Sequence, residues 1–93
     1  MVVKVKDVVQ DTCTAGQEKV FLMSLERTQF LVKNFTDGNI KVFLGENKTF
    51  SIIGAGSWER VFNNSDGTKT ESVNKVRVIA DKEGIVEVAS VDW

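Results

Sequence analysis

Four groups of residues in this chain have the types that chemistry uses. Asp81, Glu83, Glu87 and Asp92 lie close together in sequence. Two carboxylates in unlike environments facing one cleft would make a general acid and its base. The spacing here matches no such motif, and Asp81 and Glu83 read as turn and rim residues. NNSDG at 63–67 offers oxygens of the kind calcium takes. A calcium loop also needs more acids at fixed spacing and a bidentate glutamate at its end, and Glu71 comes too early for that. GAGS at 54–57 has the glycine content of a phosphate cradle. Such cradles open a helix, whereas WERVF, which follows, reads as a strand. Trp58 and Trp93 offer flat apolar faces for stacking a sugar. Against that, large aromatics are mostly buried, so Trp58 is expected to cover one end of the core. A terminal Trp93 can pack on a sheet edge or a neighbouring subunit.

What is missing narrows the chemistry further. The chain has no histidine and one cysteine, Cys13. Histidine acid–base catalysis and Cys/His zinc sites are therefore excluded. A lone cysteine forms no internal disulfide, and no histidine is present to activate it. The expectation is a protein that is not an enzyme, with no catalytic residue, no metal ligand and no cofactor. Twelve basic and thirteen acidic side chains are interspersed and leave a net charge of −1. With no basic stripe to displace phosphate counterions, neither nucleic acid nor an anionic membrane surface is an expected partner.

The elements that hold these residues are short strands. At 93 residues and 42% hydrophobic content the chain makes one domain, 1–93, with a real core. There is no proline, no linker and no clear repeat. Runs rich in Val, Ile, Phe and Thr are expected as strands at 2–9, 19–26, 28–35, 40–44, 49–53, 58–62, 73–80 and from 85 onward. Turn clusters separate them every 8–12 residues. The fold class is all-β: an antiparallel β-sandwich or small barrel of about eight short strands. In KNFTDGNIKVFLG at 33–45, the Asp37-Gly38 pair is the sequence hairpins prefer, and Asp66-Gly67 repeats it. Thr36 and Asp37 can bond their own backbone while Gly38 supplies a left-handed angle. GAGS is expected to be a tight break with a glycine at positive φ.

Face assignment leaves an apolar excess. Ile40, Val42 and Leu44 share one face, and Val76, Val78 and Ala80 share another. KVFLMSLE at 19–26 is apolar on both faces, as for a strand covered on both sides. With those cores filled, Phe21, Met23, Leu25, Leu31, Phe35, Phe43 and Ile79 fall on opposite faces. One sandwich cannot bury both faces of every strand, so this surface is expected to meet another chain. The candidate interface is Phe21, Met23, Phe35 and Phe43.

The run VKNFTDGNIKVFLGENKTFSIIGAGSWERVF, followed by VRVIADKEGIVEVASVDW, resembles small bacteriophage and prophage virion proteins. The shared cadence is an N-x-T-D-G turn (Asn34, Thr36, Asp37, Gly38), a strand ending in I-x-A-G-S (Ile53, Ala55, Gly56, Ser57), and a closing strand pair. That pair is marked by Val78, Ala80, Gly84, Val86, Glu87 and Val88. The match covers roughly residues 30–91. The resemblance implies a non-enzymatic, particle-associated β-sandwich of a head, fibre or tail, working as a homo-oligomer bound to capsid or tail proteins. It carries no catalytic residue. MVVKVKDVVQ lacks the continuous apolar run of a signal peptide, and no stretch is long enough to span a membrane. The chain is thus expected to be synthesised in a bacterial cytoplasm and to end in a virion. Two alternatives stand beside this: a carbohydrate- or other ligand-binding sandwich using Trp58 and the 63–70 loop, and a regulator that adds a strand to a partner's sheet.

Overall fold

The computed structural model describes residues 4–62 and 72–92. Among these residues eight strands run in order: β1 (Lys4–Cys13), β2 (Glu18–Arg27), β3 (Gln29–Asn34), β4 (Ile40–Leu44), β5 (Ser51–Ile53), β6 (Trp58–Phe62), β7 (Val73–Ala80) and β8 (Gly84–Asp92). They form two antiparallel sheets, β1-β8-β3-β6 and β2-β7-β4-β5. The chain is an all-β sandwich. The 20 Å short axis fits two sheets packed about 10 Å apart with side chains outside each.

The pairing is nested: β4 with β5, β3 with β6, β2 with β7, β1 with β8. Eight strands folded in this way make a jelly roll. Only β4–β5 joins neighbouring strands of one sheet; every other connection between consecutive strands passes from sheet to sheet. This overturns the hairpin reading of residues 33–45. β3 pairs with β6 and β8, β4 pairs with β5 and β7, and Asp37-Gly38 carries the chain across. Positive φ among glycines occurs at Gly16, Gly45 and Gly56, not at Gly38. β6 and β7 also lie in different sheets, so no hairpin joins them; the second Asp-Gly pair lies outside the described residues.

The core lies between the sheets, and alternation places it there. Phe30 and Val32 of β3 and Val86 and Val88 of β8 point in from the first sheet. Phe21 and Met23 of β2, Val76, Val78 and Ala80 of β7, and Ile40, Val42 and Leu44 of β4 point in from the second. The face-sharing sets expected on β4 and β7 are the buried ones. Strand β2 is different: it is covered on one face only, with Phe21 and Met23 buried while Val20, Leu22 and Leu25 are exposed. Phe21 sits opposite Val76, so both must point the same way.

The crossing at 34–39 is built on a buried asparagine. Asn34 Nδ2 donates toward the carbonyls of Gly38 (2.8 Å), Ile53 (3.0 Å) and Gly54 (3.0 Å). Its Oδ1 accepts from the Thr36 backbone N–H (2.9 Å) and hydroxyl (2.7 Å). The single hydroxyl hydrogen of Thr36 is shared between Asn34 Oδ1 and the Gly38 carbonyl (2.9 Å), and Oγ1 accepts from the Gly38 N–H. One side chain thus ties the end of β3, in the first sheet, to the end of β5, in the second. Gly84 opens β8 against this crossing: a Cβ there would fall 2.8–2.9 Å from Thr36. GAGS is the expected tight break, with Ser57 N–H donating to Gly54 O (3.1 Å) and Gly56 at φ 71°. It carries the chain from β5 to β6 across the sandwich.

Candidate interaction surfaces

Paired residues share a face, so the sheet registers define what each outer surface presents. On the second sheet, Phe43 of β4 lies opposite Arg77 of β7, which lies opposite Val20 of β2. The adjacent rows carry Ile52, Lys41, Ile79 and Glu18 on one side and Lys75 and Leu22 on the other. Phe50, just before β5, completes an aromatic pair with Phe43, ring centres 5.2 Å apart and tilted by 51°. The Lys41 ammonium sits 5.1 Å above the Phe50 ring and the Arg77 guanidinium 4.8 Å above that of Phe43. Such contacts favour a cation over an aromatic face.

Arg77 is the anchor of this surface. Its Nε donates to Gly45 O (2.8 Å), its Nη2 to Asn47 O (2.5 Å), and its Nη1 pairs with Glu18 (2.9 Å). One planar guanidinium therefore stacks on β4, holds the β4–β5 loop and reaches β2, which a lysine could not do at once. Lys75 pairs with Glu46 of the same loop. Around this fixed centre Leu22 (66% exposed), Ile52 (56%), Phe50 (46%) and Val20 stand in solvent. A hollow of about 520 Å³ opens at the Leu22 end, lined by Glu26, Gly45, Glu46 and Val73 among others.

The first sheet presents a different surface. Trp58 of β6 lies opposite Lys33 of β3, Lys33 opposite Glu87 of β8, and Glu87 opposite Gln10 of β1. Lys33 and Glu87 form an ion pair at 3.4 Å. The next row is Arg60, Leu31, Ala89 and Val8. Phe35 follows β3 by one residue, donates its N–H to Ile85 O (3.0 Å) and is 56% exposed. Trp58 is 63% exposed, so it does not cap the core.

The four expected interface residues are thereby separated. Phe21 and Met23 are core, not surface, because β2 turns Val20 and Leu22 outward. Phe43 is half-buried on the outer face of the second sheet, whereas Phe35 is exposed beside the first sheet. No single flat interface can include both. Leu31 and Ile79 are half-buried on outer faces, on the first and second sheets respectively. The sequence reading missed Leu22, Phe50, Ile52 and Arg77. Leu22 was hidden by the apolar run around it, and Arg77 by looking like one polar position of an alternating strand.

The residues with chemical potential are dispersed. Asp81 and Glu83 are exposed in the β7–β8 turn, and Glu87 is on the outer face of the first sheet. The 63–67 oxygens, the 63–70 loop and Trp93 lie outside the described residues. Among the described residues no group of three or more Cys, Asp or Glu side chains is arranged to hold a metal ion. No helix among them is long and apolar enough to cross a membrane. Cys13 is buried at the end of β1, and burial pushes its thiol up from the ordinary value. Asp11 of β1 pairs with Lys19 of β2 at 2.8 Å across the sandwich edge. The Lys19 hydrogen bond, then that from the Thr12 N–H, hold the Asp11 carboxyl below its usual range. Asn34, one of three N-x-S/T asparagines in the sequence, is fully engaged inside the fold.

Fold and faces together define a small jelly-roll sandwich with two unlike outer surfaces. No protein-family model matches the chain, and no curated protein or solved structure matches it significantly.

Proposed function

We propose that this chain is a non-enzymatic structural or accessory protein of a phage-type particle, associated with a head, fibre or tail. It works by binding copies of itself within a larger assembly. The observation that carries the reading is the outer face of β2-β7-β4-β5, where Leu22, Val20, Phe50 and Ile52 stand exposed around the fixed Arg77–Phe43 centre. The resemblance of residues 30–91 to small virion proteins supports it. The jelly roll is a fold that capsid domains and lectins use, which is an analogy and adds weight only as such.

The energetics favour an assembly over a lone tight pair. Fully burying one large aliphatic or aromatic side chain is worth about 1.5–3 kcal/mol. The four exposed side chains are already about half buried, so covering them on both copies where two such faces meet yields about 6–12 kcal/mol before any cost. Association costs about 4–15 kcal/mol in lost freedom and ordering. A single contact is therefore weak, and it becomes firm when many copies hold one another in place. Sedimentation over a concentration series tests this. Wild type should show reversible self-association at about 0.1–1 mM. The double variant Leu22→Ser, Ile52→Ser should remain monomeric with an unchanged urea midpoint. If the double variant associates as strongly as wild type, this face is not the contact.

A further inference from the structure

We infer that the outer face of the first sheet is a carbohydrate-binding surface, with Trp58 as its stacking platform and Lys33, Glu87 and Gln10 as its polar contacts. Tryptophan carries more apolar area than any other side chain, yet Trp58 leaves 63% of itself in solvent. It neither caps the core nor joins the apolar patch on the other sheet. It heads a straight row instead: Trp58, Lys33, Glu87, Gln10, each directly opposite the next across β6, β3, β8 and β1. With strands about 4.8 Å apart, the row runs about 14 Å over a continuous sheet. That length takes a chain of rings, not one small molecule.

The chemistry of the row fits hydroxyl-rich rings. A sugar has an apolar C–H face, which an indole ring can cover, and a rim of hydroxyls that both donate and accept. Lys33 supplies donors, Glu87 supplies acceptors, and Gln10 supplies both. The Lys33–Glu87 pair is loose at 3.4 Å, with the Lys33 side chain 40% and the Glu87 side chain 20% exposed, so both partners reach the surface while each restrains the other. A nucleic acid would meet the Glu87 carboxylate and a chain of net charge −1. Val8 and Phe35 stand exposed beside the row, but an apolar protein partner covering them would also have to desolvate the ion pair at its centre, which is costly. The glycan surface and the self-association surface lie on opposite sides of the sandwich, so both can be occupied at once. In a particle the outward sheet would then meet a bacterial surface polysaccharide.

The test uses full-length protein carrying Trp93→Phe, which leaves Trp58 as the sole tryptophan. Its emission is titrated with purified bacterial cell-wall polysaccharides and with linear glucan and galactan oligosaccharides. The inference expects a saturable change with at least one of these polymers. It expects at least a tenfold loss of affinity in Trp58→Ala, read by co-sedimentation with the insoluble polymer, and a several-fold loss in Lys33→Met and Glu87→Gln. Urea midpoints should stay unchanged in all three. Absence of saturable binding to every polymer overturns the inference, as does binding that survives Trp58→Ala. Either failure leaves the Leu22→Ser, Ile52→Ser sedimentation result untouched, so the two readings fail separately.

Discussion

Replacing Asn34 with alanine should cost more than any single surface change in this protein. Asn34 is buried, and it is the acceptor for the Thr36 N–H. With the side chain gone that N–H loses this acceptor in a dry site, at a cost of about 1–3 kcal/mol. The two Nδ2 hydrogens serve the carbonyls of Gly38, Ile53 and Gly54. Gly38 O keeps Thr36 Oγ1 and Gly54 O keeps the Ser57 N–H, so the further loss is the net worth of two hydrogen bonds, about 1–3 kcal/mol. The sum is about 2–6 kcal/mol, against a total of about 5–15 kcal/mol for a domain. For a chain of this size it lowers Tm by at least about 8 °C. Urea unfolding followed by circular dichroism measures it. Asn34→Asp sharpens the test. An ionised carboxylate would face three carbonyls, so its folded pKa must rise above the unfolded value of about 3.9. The folded state then holds the proton more tightly, and this variant loses stability as pH rises above about 4. A loss under about 1 kcal/mol in Asn34→Ala with an unchanged urea slope, or an Asn34→Asp variant that gains stability as pH rises from 4 to 7, would refute the reasoning.

Gly84→Ala drives a Cβ to 2.9 Å from the Thr36 backbone, and it should destabilise by about 1–3 kcal/mol, measured by thermal melts. Among the described residues the Ser90 hydroxyl is buried with no hydrogen-bond partner, so Ser90→Ala should be neutral or raise the urea midpoint; a marked fall would show that the hydroxyl has a partner. The Asp11–Lys19 pair lowers the Asp11 pKa, so its contribution is present above the unfolded value and lost as pH falls through the folded one. Asp11→Asn should therefore lower the urea midpoint slightly at neutral pH, and the difference from wild type should vanish at about pH 2.

Strand positions were legible because residue type and turn spacing are local. β4, β6 and β7 match their expected bounds, and the other strands lie within a few residues of theirs. Which strands pair was not legible. Asp37-Gly38 carries a hairpin signature, but its geometry is set by Asn34 reaching Ile53 and Gly54, nineteen and twenty residues on. Faces failed where both were apolar. In β2 either Phe21 and Met23 or Val20 and Leu22 could have filled the core, and only pairing with Val76 decides it. In β4 and β7 the polar residues Lys41, Lys75 and Arg77 marked the outer face, and there the assignment was right. Trp58 was identifiable as a candidate. Its row with Lys33, Glu87 and Gln10 was not, because those four residues come from four strands spread over the whole chain.

The most direct test of a particle role is quantitative mass spectrometry of purified particles induced from a strain that carries this gene. The account predicts the chain at a fixed ratio to the major particle proteins across preparations, retained through density-gradient purification. Particles that form normally and lack the chain would contradict it.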